Sequence, residues 1–385
     1  MMGHLSDFLD LLKGTNVDDS IRGKYEGVAR KKILFMVLLI VALVVVSIGV
    51  LGVGGVMVDF GNVFRVLFHP IFPDHVSAPD QLYYSVIIND YRMPRVLLGI
   101  LTGMCLAVAG ASMQGIMKNP LADPFTLGLS SAASCGAGVG IILGPMILGS
   151  LYYQNFTMFG EIVSVGGMFM VLVAFIFGLA SVAMLIALTG RRAVSQSTLI
   201  LTGVVIGYLF SAVLSYLKYI SEDEALKDIT LWLLGGMWGA SWSAVIIVIP
   251  VAILGIILLE SYSVDMNALS SGDDVAKNLG VDVKTLRVKI LVISALITSV
   301  CMAFTGIIGF IGLMAPHIVR MLVGSDHRYL IPISALLGAL ILVICDAIAR
   351  YIVAPSDLPV GIIMYVLGGV FFMFLIKRMR GGYEI

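Results

Sequence analysis

Three clusters in this chain carry side chains whose types and spacing could do chemistry, and all three suit binding better than bond-breaking. In the first, Arg92-Met-Pro-Arg95 sets two guanidinium groups three residues apart across a proline. Asp346-x-x-x-Arg350 adds an opposite pair on one helix face. Such arginines could receive carboxylates from a partner. The plainer alternative is that Arg92 and Arg95 snorkel to lipid phosphates while Arg350 pairs with Asp346. The second cluster, Lys118-Asn-Pro-Leu-Ala-Asp-Pro124, is a polar turn braced by two prolines. The third is Ser263–Gly280, which reads as two short helices. Ser271 and Asp274 fit a capping box, Gly280 fits a helix stop, and Val275, Ala276 and Leu279 give a small apolar face. That face suits a partner protein, or else packing on the chain's own surface.

Enzyme chemistry finds no footing. The chain has no GxxxxGK[ST] loop, no HExxH pair, and no Ser/His or Asp/Asp arrangement inside an apolar run. His317 fits helix-end packing. Cys105, Cys135, Cys301 and Cys345 lie within apolar runs without metal-ligand spacing, so packing is expected of them, and no metal or cofactor. Net charge is zero, with 24 basic and 24 acidic residues, so no global field points to nucleic acid.

The elements that must position these clusters cross a membrane. Hydrophobic residues make up 59% of the chain and charged residues only 12%, where a soluble domain carries about 25%. The expected fold is an all-α polytopic membrane protein of ten transmembrane helices. Residues 1–32 form a cytoplasmic extension too polar for a signal peptide, and residues 33–380 form the transmembrane domain. Arg30-Lys31-Lys32 abuts a first span at Ile33–Val58 and places the N-terminus in the cytoplasm. After an outer loop at 59–94, Val96–Met117 covers roughly 33 Å as a helix, about one hydrocarbon core. Its stripe of Gly99, Gly103, Ala107, Gly110 and Gly115 invites close helix approach. Further spans are expected in Phe125–Gly160, Ile162–Gly190, Ala193–Leu217, and a sixth to about Leu259. Trp232, Trp238 and Trp242 suit an outer aromatic belt.

Residues 260–289 carry Lys277, Lys284, Arg287 and Lys289 and are expected in the cytoplasm. The uncharged run Ile290–Val319 is read as two short crossings turning near Gly306, Gly309 or Gly312. The basic tail Lys377-Arg378-Met-Arg380 puts the C-terminus inside too, which requires an even count. Tyr329–Cys345 and Leu358–Ile376 complete the ten. Gly110 to Pro120 and Gly306 to Pro316 share one offset in oppositely directed segments, a weak echo of an inverted repeat. The spans lack ionisable groups apart from Asp346 and Arg350, which read as an ion pair before a proton relay. A pathway without its own energy source needs an ATPase partner, and 260–289 is the candidate dock. The rival classes are an ion-coupled secondary transporter and a structural membrane subunit.

Taken in order, Arg92-x-Pro-Arg95, Gly110-x-x-x-Gln114, Asn119-Pro-Leu-Ala-Asp-Pro124, Leu269-x-x-Gly-Asp-Asp-x-Ala-x-x-Leu-Gly280, Gly309-Phe-Ile-Gly-Leu-x-x-Pro-His-x-x-Arg320, Ser-Asp-His-Arg328 and Asp346-x-x-x-Arg350 resemble the iron-siderophore/cobalamin permease family (FecCD/BtuC-like) of binding-protein-dependent ABC importers. Ser271 departs from the pattern, since the family more often has an apolar residue there. The resemblance implies a multi-pass permease of the cell membrane that works as a homodimer among lipids. Two ATPase subunits sit below it and one extracytoplasmic binding protein above. Arg92, Arg95 and Arg350 would receive glutamates of the binding protein. Asn119 and Leu121, with Gln196 and Ser197, would form the cytoplasmic gate. Ala268, Leu269, Gly272, Asp273, Asp274, Val275, Ala276, Leu279 and Gly280 would couple to the ATPase. The implied cargo is an iron chelate, a siderophore or haem, with cobalamin, molybdate or tungstate as alternatives.

Overall fold

The computed structural model describes the backbone of residues 19–189 and 196–380, and the side chains of residues 29–189 and 197–377. Its helices are α1 (Asp19–Val50), α2 (Phe60–Phe68), α3 (Leu82–Met117), α4 (Leu129–Ile142) and α5 (Gly144–Leu148). After a hairpin of β1 (Asn155–Met158) and β2 (Glu161–Ser164) come α6 (Val165–Thr189), α7 (Gln196–Ile220), α8 (Asp223–Leu234) and α9 (Trp242–Ser261). The chain ends with α10 (Ser263–Ser270), α11 (Asp273–Asn278), α12 (Val283–Thr305), α13 (Ile311–Val323), α14 (His327–Ile352) and α15 (Val360–Arg380). Among the described residues eight helices are long and apolar enough to cross a membrane, or nine if the bent stretch from Leu129 to Tyr153 counts as one span. The expected ten is therefore not reached by length.

Three boundaries differ from the sequence reading. The run Ile290–Val319 does turn near Gly306, as expected, but the first of its two helices starts earlier and the second is short. Helix α12 has 23 residues, because Lys284, Arg287 and Lys289 lie in its first turns and Asp282 caps it, accepting from Thr285 N at 3.2 Å. The chain then turns at Gly306, in the left-handed region, and α13 has only 13 residues, roughly 20 Å long. The first span ends at Val50, not Val58, since Gly52, Gly54 and Gly55 break the helix and the chain curls back on itself. Glu260, expected beyond the sixth span, falls half-buried in the last turn of α9.

Helix α3 is the axis of the bundle, buried along most of its length and packed on α14, α12, α13 and α9. Pro94 lies inside this continuous helix and offers no amide, and the π-helical stretch at Ile87–Arg92 leads into it. The small-residue stripe explains the packing. A methyl group on Gly103 would lie 2.5 Å from the Gly338 carbonyl of α14, and one on Gly110 would lie 1.9 Å from the Gly312 carbonyl of α13. The two segments that echo each other in sequence thus touch. The tryptophans do not form one belt. Trp232 is buried, Trp238 is exposed, and Trp242 donates from Nε1 to the Asn89 carbonyl at 2.9 Å.

Candidate functional site

Let the end of the bundle bearing Arg92 be the upper end and the end bearing residues 260–289 the lower. At the upper end α3 and α14 run side by side, and their proximity brings Arg92, Arg95 and Arg350 together. Arg95 grips Asp346, with Nε 3.1 Å from both carboxylate oxygens and Nη2 3.0 Å from Oδ1, and also reaches Asp357. Arg350 Nε lies 3.1 Å from Asp346 Oδ2. Arg350 also donates to the Val53 and Val50 carbonyls at 2.8 and 3.4 Å, while Arg92 donates to Leu51 O at 2.7 Å and to Val56 O.

Two guanidinium groups therefore hold the turn that follows α1, satisfying carbonyls left open where that helix stops. Arg92 and Arg350 are only 6% and 4% exposed, so neither snorkels freely. Three cations face two carboxylates, leaving one positive charge in excess at a cavity of about 300 Å³ lined by Gly54, Tyr91, Arg92, Arg95, Trp238 and Arg350. The ion pair expected between Asp346 and Arg350 is present, and Asp357 is a member that spacing alone did not single out.

At the lower end α3 stops at Lys118, whose φ of 46° is left-handed. The turn beyond it is locked by its own side chains. Asn119 Oδ1 accepts from Leu121 N at 2.9 Å, and Asp123 Oδ1 accepts from Thr126 N at 2.9 Å. Leu121 is exposed, whereas Asp123 is buried, and burial pushes its carboxyl up to about 6 against the opposing hydrogen bonds from Thr126 and Phe125. Ser197 stands exposed near the foot of α7, at the same end of the bundle. The Gln196 side chain and Arg191-Arg192 fall outside the described residues.

In the 260–289 loop the expected pair of short helices is present as α10 and α11, but the capping box is not. Gly272 is the N-cap of α11 and has no side chain to bond, and Ser271 ends α10. Gly280 does stop α11. Its N–H reaches Lys277 O at 2.9 Å and Val281 N–H reaches Ala276 O at 3.0 Å, a Schellman arrangement. The apolar face divides: Ala276 and Leu269 are fully buried, while Val275 and Leu279 are 44% and 68% exposed. Ala268 and Gly272 are half-buried and Asp274 is exposed, paired with Lys277 at 3.1 Å.

Asp273, partly exposed, turns towards the ends of α3 and α12. It meets Lys118 Nζ at 2.8 Å and Arg287 Nη2 at 3.0 Å, and Arg287 Nε donates to the Ile116 carbonyl at 3.3 Å. A second tie runs through Asn267, whose Nδ2 donates to Asp326 at 2.7 Å and whose Oδ1 accepts from His327 N at 2.8 Å. Higher up, Gln114 donates to Gly312 O at 3.1 Å and accepts from Arg320 at 3.0 Å, joining α3 to α13. Asn267, Lys118 and the Gln114–Arg320 bond carried no periodic signal that would have marked them. Gln114 and Arg320 do belong to the quoted motifs.

The FecCD transport family model matches residues 29–378. The hemin transport system permease protein HmuU of Yersinia pestis is 35% identical over 351 residues, covering 90% of this chain and 96% of the relative. The Fe(3+) dicitrate transport system permease protein FecD of Escherichia coli is 38% identical over 304 residues, covering 79% and 88%. A solved chain of an ABC transporter described as of metal-chelate type, in an inward-facing conformation, superposes with a TM-score of 0.74 at 27% identity. It covers 89% of this chain and 98% of its own.

Proposed function

The chain belongs to the FecCD transport family, and from that premise we propose that it is the permease subunit of an ABC importer for an iron chelate, a siderophore complex or haem. The observation that carries the reading is the family match along nearly the whole chain, which reaches both ends of α3 and the 260–289 loop. In this reading two copies enclose the path and a binding protein delivers cargo to the upper end. The excess positive charge around Arg95 attracts acidic groups of that protein. Two ATPase subunits bind the lower end, where Val275 and Leu279 offer an exposed apolar contact. The turn holding Asn119 and Leu121, with Gln196 and Ser197, gates the path.

Asp346 is committed to Arg95 and Arg350 and so is ill placed to relay protons, which weighs against an ion-coupled carrier. The test is reconstitution with the cognate ATPase and binding protein in proteoliposomes, presenting ferric chelates, haem, cobalamin and molybdate. Uptake should require ATP and the binding protein and should favour an iron chelate or haem. Uptake that persists without ATP and collapses with the ion gradient would refute the reading. Preference for cobalamin would move the substrate and leave the class intact.

A further inference from the structure

We propose that Asp273 is a positioning residue that carries movement of the 260–289 loop into the Lys118–Asp123 turn, acting through its ion pairs within the chain and not as an ATPase contact. This rests on the reading of that loop as the ATPase dock. The geometry has three parts. Asp273 opens α11, two residues before exposed Val275, so a load on Val275 or Leu279 reaches it through a helix of six residues. Its carboxylate then meets Lys118 Nζ at 2.8 Å and Arg287 Nη2 at 3.0 Å, and Arg287 is itself fastened to the Ile116 carbonyl at 3.3 Å.

Finally, Lys118 is the left-handed residue at which α3 ends, and Asn119, next in sequence, fixes exposed Leu121 through its side chain. A non-glycine residue at φ 46° is a strained hinge that its neighbours must hold. Pulling on the Lys118 side chain acts on that hinge directly. The Lys118 contact, with Arg287 beside it, holds the Asp273 carboxyl below the usual carboxylate range, so the strut stays charged at neutral pH. Because Lys118 and Asp273 are partly exposed, their pairing adds little to folding. Its consequence is positional.

The experiment uses the whole complex of permease, cognate ATPase and binding protein in proteoliposomes. It reads substrate moved per ATP hydrolysed and the labelling rate of Leu121→Cys with and without nucleotide. Asp273→Asn should still assemble with the ATPase, while substrate moved per ATP hydrolysed falls roughly three- to thirtyfold. Labelling at position 121 should stop responding to nucleotide. Lys118→Met should reproduce this, the double variant should be no worse than either single one, and Asp273→Glu should restore coupling. A wild-type ratio with nucleotide-responsive labelling in Asp273→Asn would overturn the proposal. Loss of ATPase binding in Asp273→Asn would also overturn it, by making Asp273 part of the contact surface. If the wild-type permease itself fails to bind the ATPase, the reading of the dock has failed, which is a distinguishable result.

Discussion

Replacing Gly110 with alanine tests whether the contact between α3 and α13 is as close as the structure has it. The added methyl group would sit 1.9 Å from the Gly312 carbonyl oxygen and 2.5 Å from its Cα. An ordinary carbon contact is about 3.5 Å, so the two backbones must part by roughly 1–1.5 Å. That separation would also stretch the 3.1 Å bond from Gln114 Nε2 to the same carbonyl beyond hydrogen-bonding range. Overpacking costs about 1–3 kcal/mol and the lost bond about 1 kcal/mol, while alanine returns about 1 kcal/mol of helix propensity. The net expectation is a loss of about 1–3 kcal/mol.

Gly369→Ala is the control. It makes the same chemical change in α15, where an added Cβ meets nothing within 4 Å, and it should be neutral or slightly stabilising. Equilibrium unfolding of the two variants in mixed micelles gives the difference, and transport in proteoliposomes shows whether the α3–α13 contact also matters to function. Equal stabilities for Gly110→Ala and Gly369→Ala would refute the reasoning.

Val275→Asp and Leu279→Asp should abolish co-purification of the ATPase with little loss of permease yield, because both side chains are exposed. Ala276→Asp, at a fully buried position, should instead cost yield itself. At the upper end Arg95→Glu should weaken binding-protein association more than Arg95→Ala, and the wild-type affinity should fall with salt, screened over about 8 Å at physiological ionic strength. Equal affinities across a salt series would reject the docking role. Asp123 supplies a pH test. Its folded value, about 6, lies above the ordinary 3.8, so the folded state holds the proton more tightly and stability falls as pH rises through that window. Asp123→Asn should flatten stability between pH 4 and 6 and raise it at pH 7.5 by about 2–3 kcal/mol, measured by unfolding at each pH.

The membrane class, most of the long helices, the α11 stop at Gly280 and the grouping of motifs were legible in the chain because they depend on local properties. Apolar run length, proline and glycine positions and charge all act over one or a few helical turns. The same local view misjudged α12, since it counted Lys284, Arg287 and Lys289 as loop, when Lys284 and Lys289 are exposed on the first turns of a helix and Arg287 is engaged by Asp273 and the Ile116 carbonyl. It also assigned a capping box to Ser271 and Asp274, where Ser271 closes α10, Gly272 takes the N-cap of α11 and Asp274 pairs with Lys277. Arg350 bonds Val50 across 300 positions, Arg95 bonds Asp346 across 251, Gln114 bonds Gly312 across 198 and Asp273 bonds Lys118 across 155. No periodicity relates such pairs, because chain folding alone sets those distances. The sequence by itself determined which residues could bind and which stretches could cross a membrane. Only tertiary packing decided that Arg92 and Arg350 are buried against a turn, that Asp273 meets Lys118 and Arg287, and that Gly110 meets Gly312.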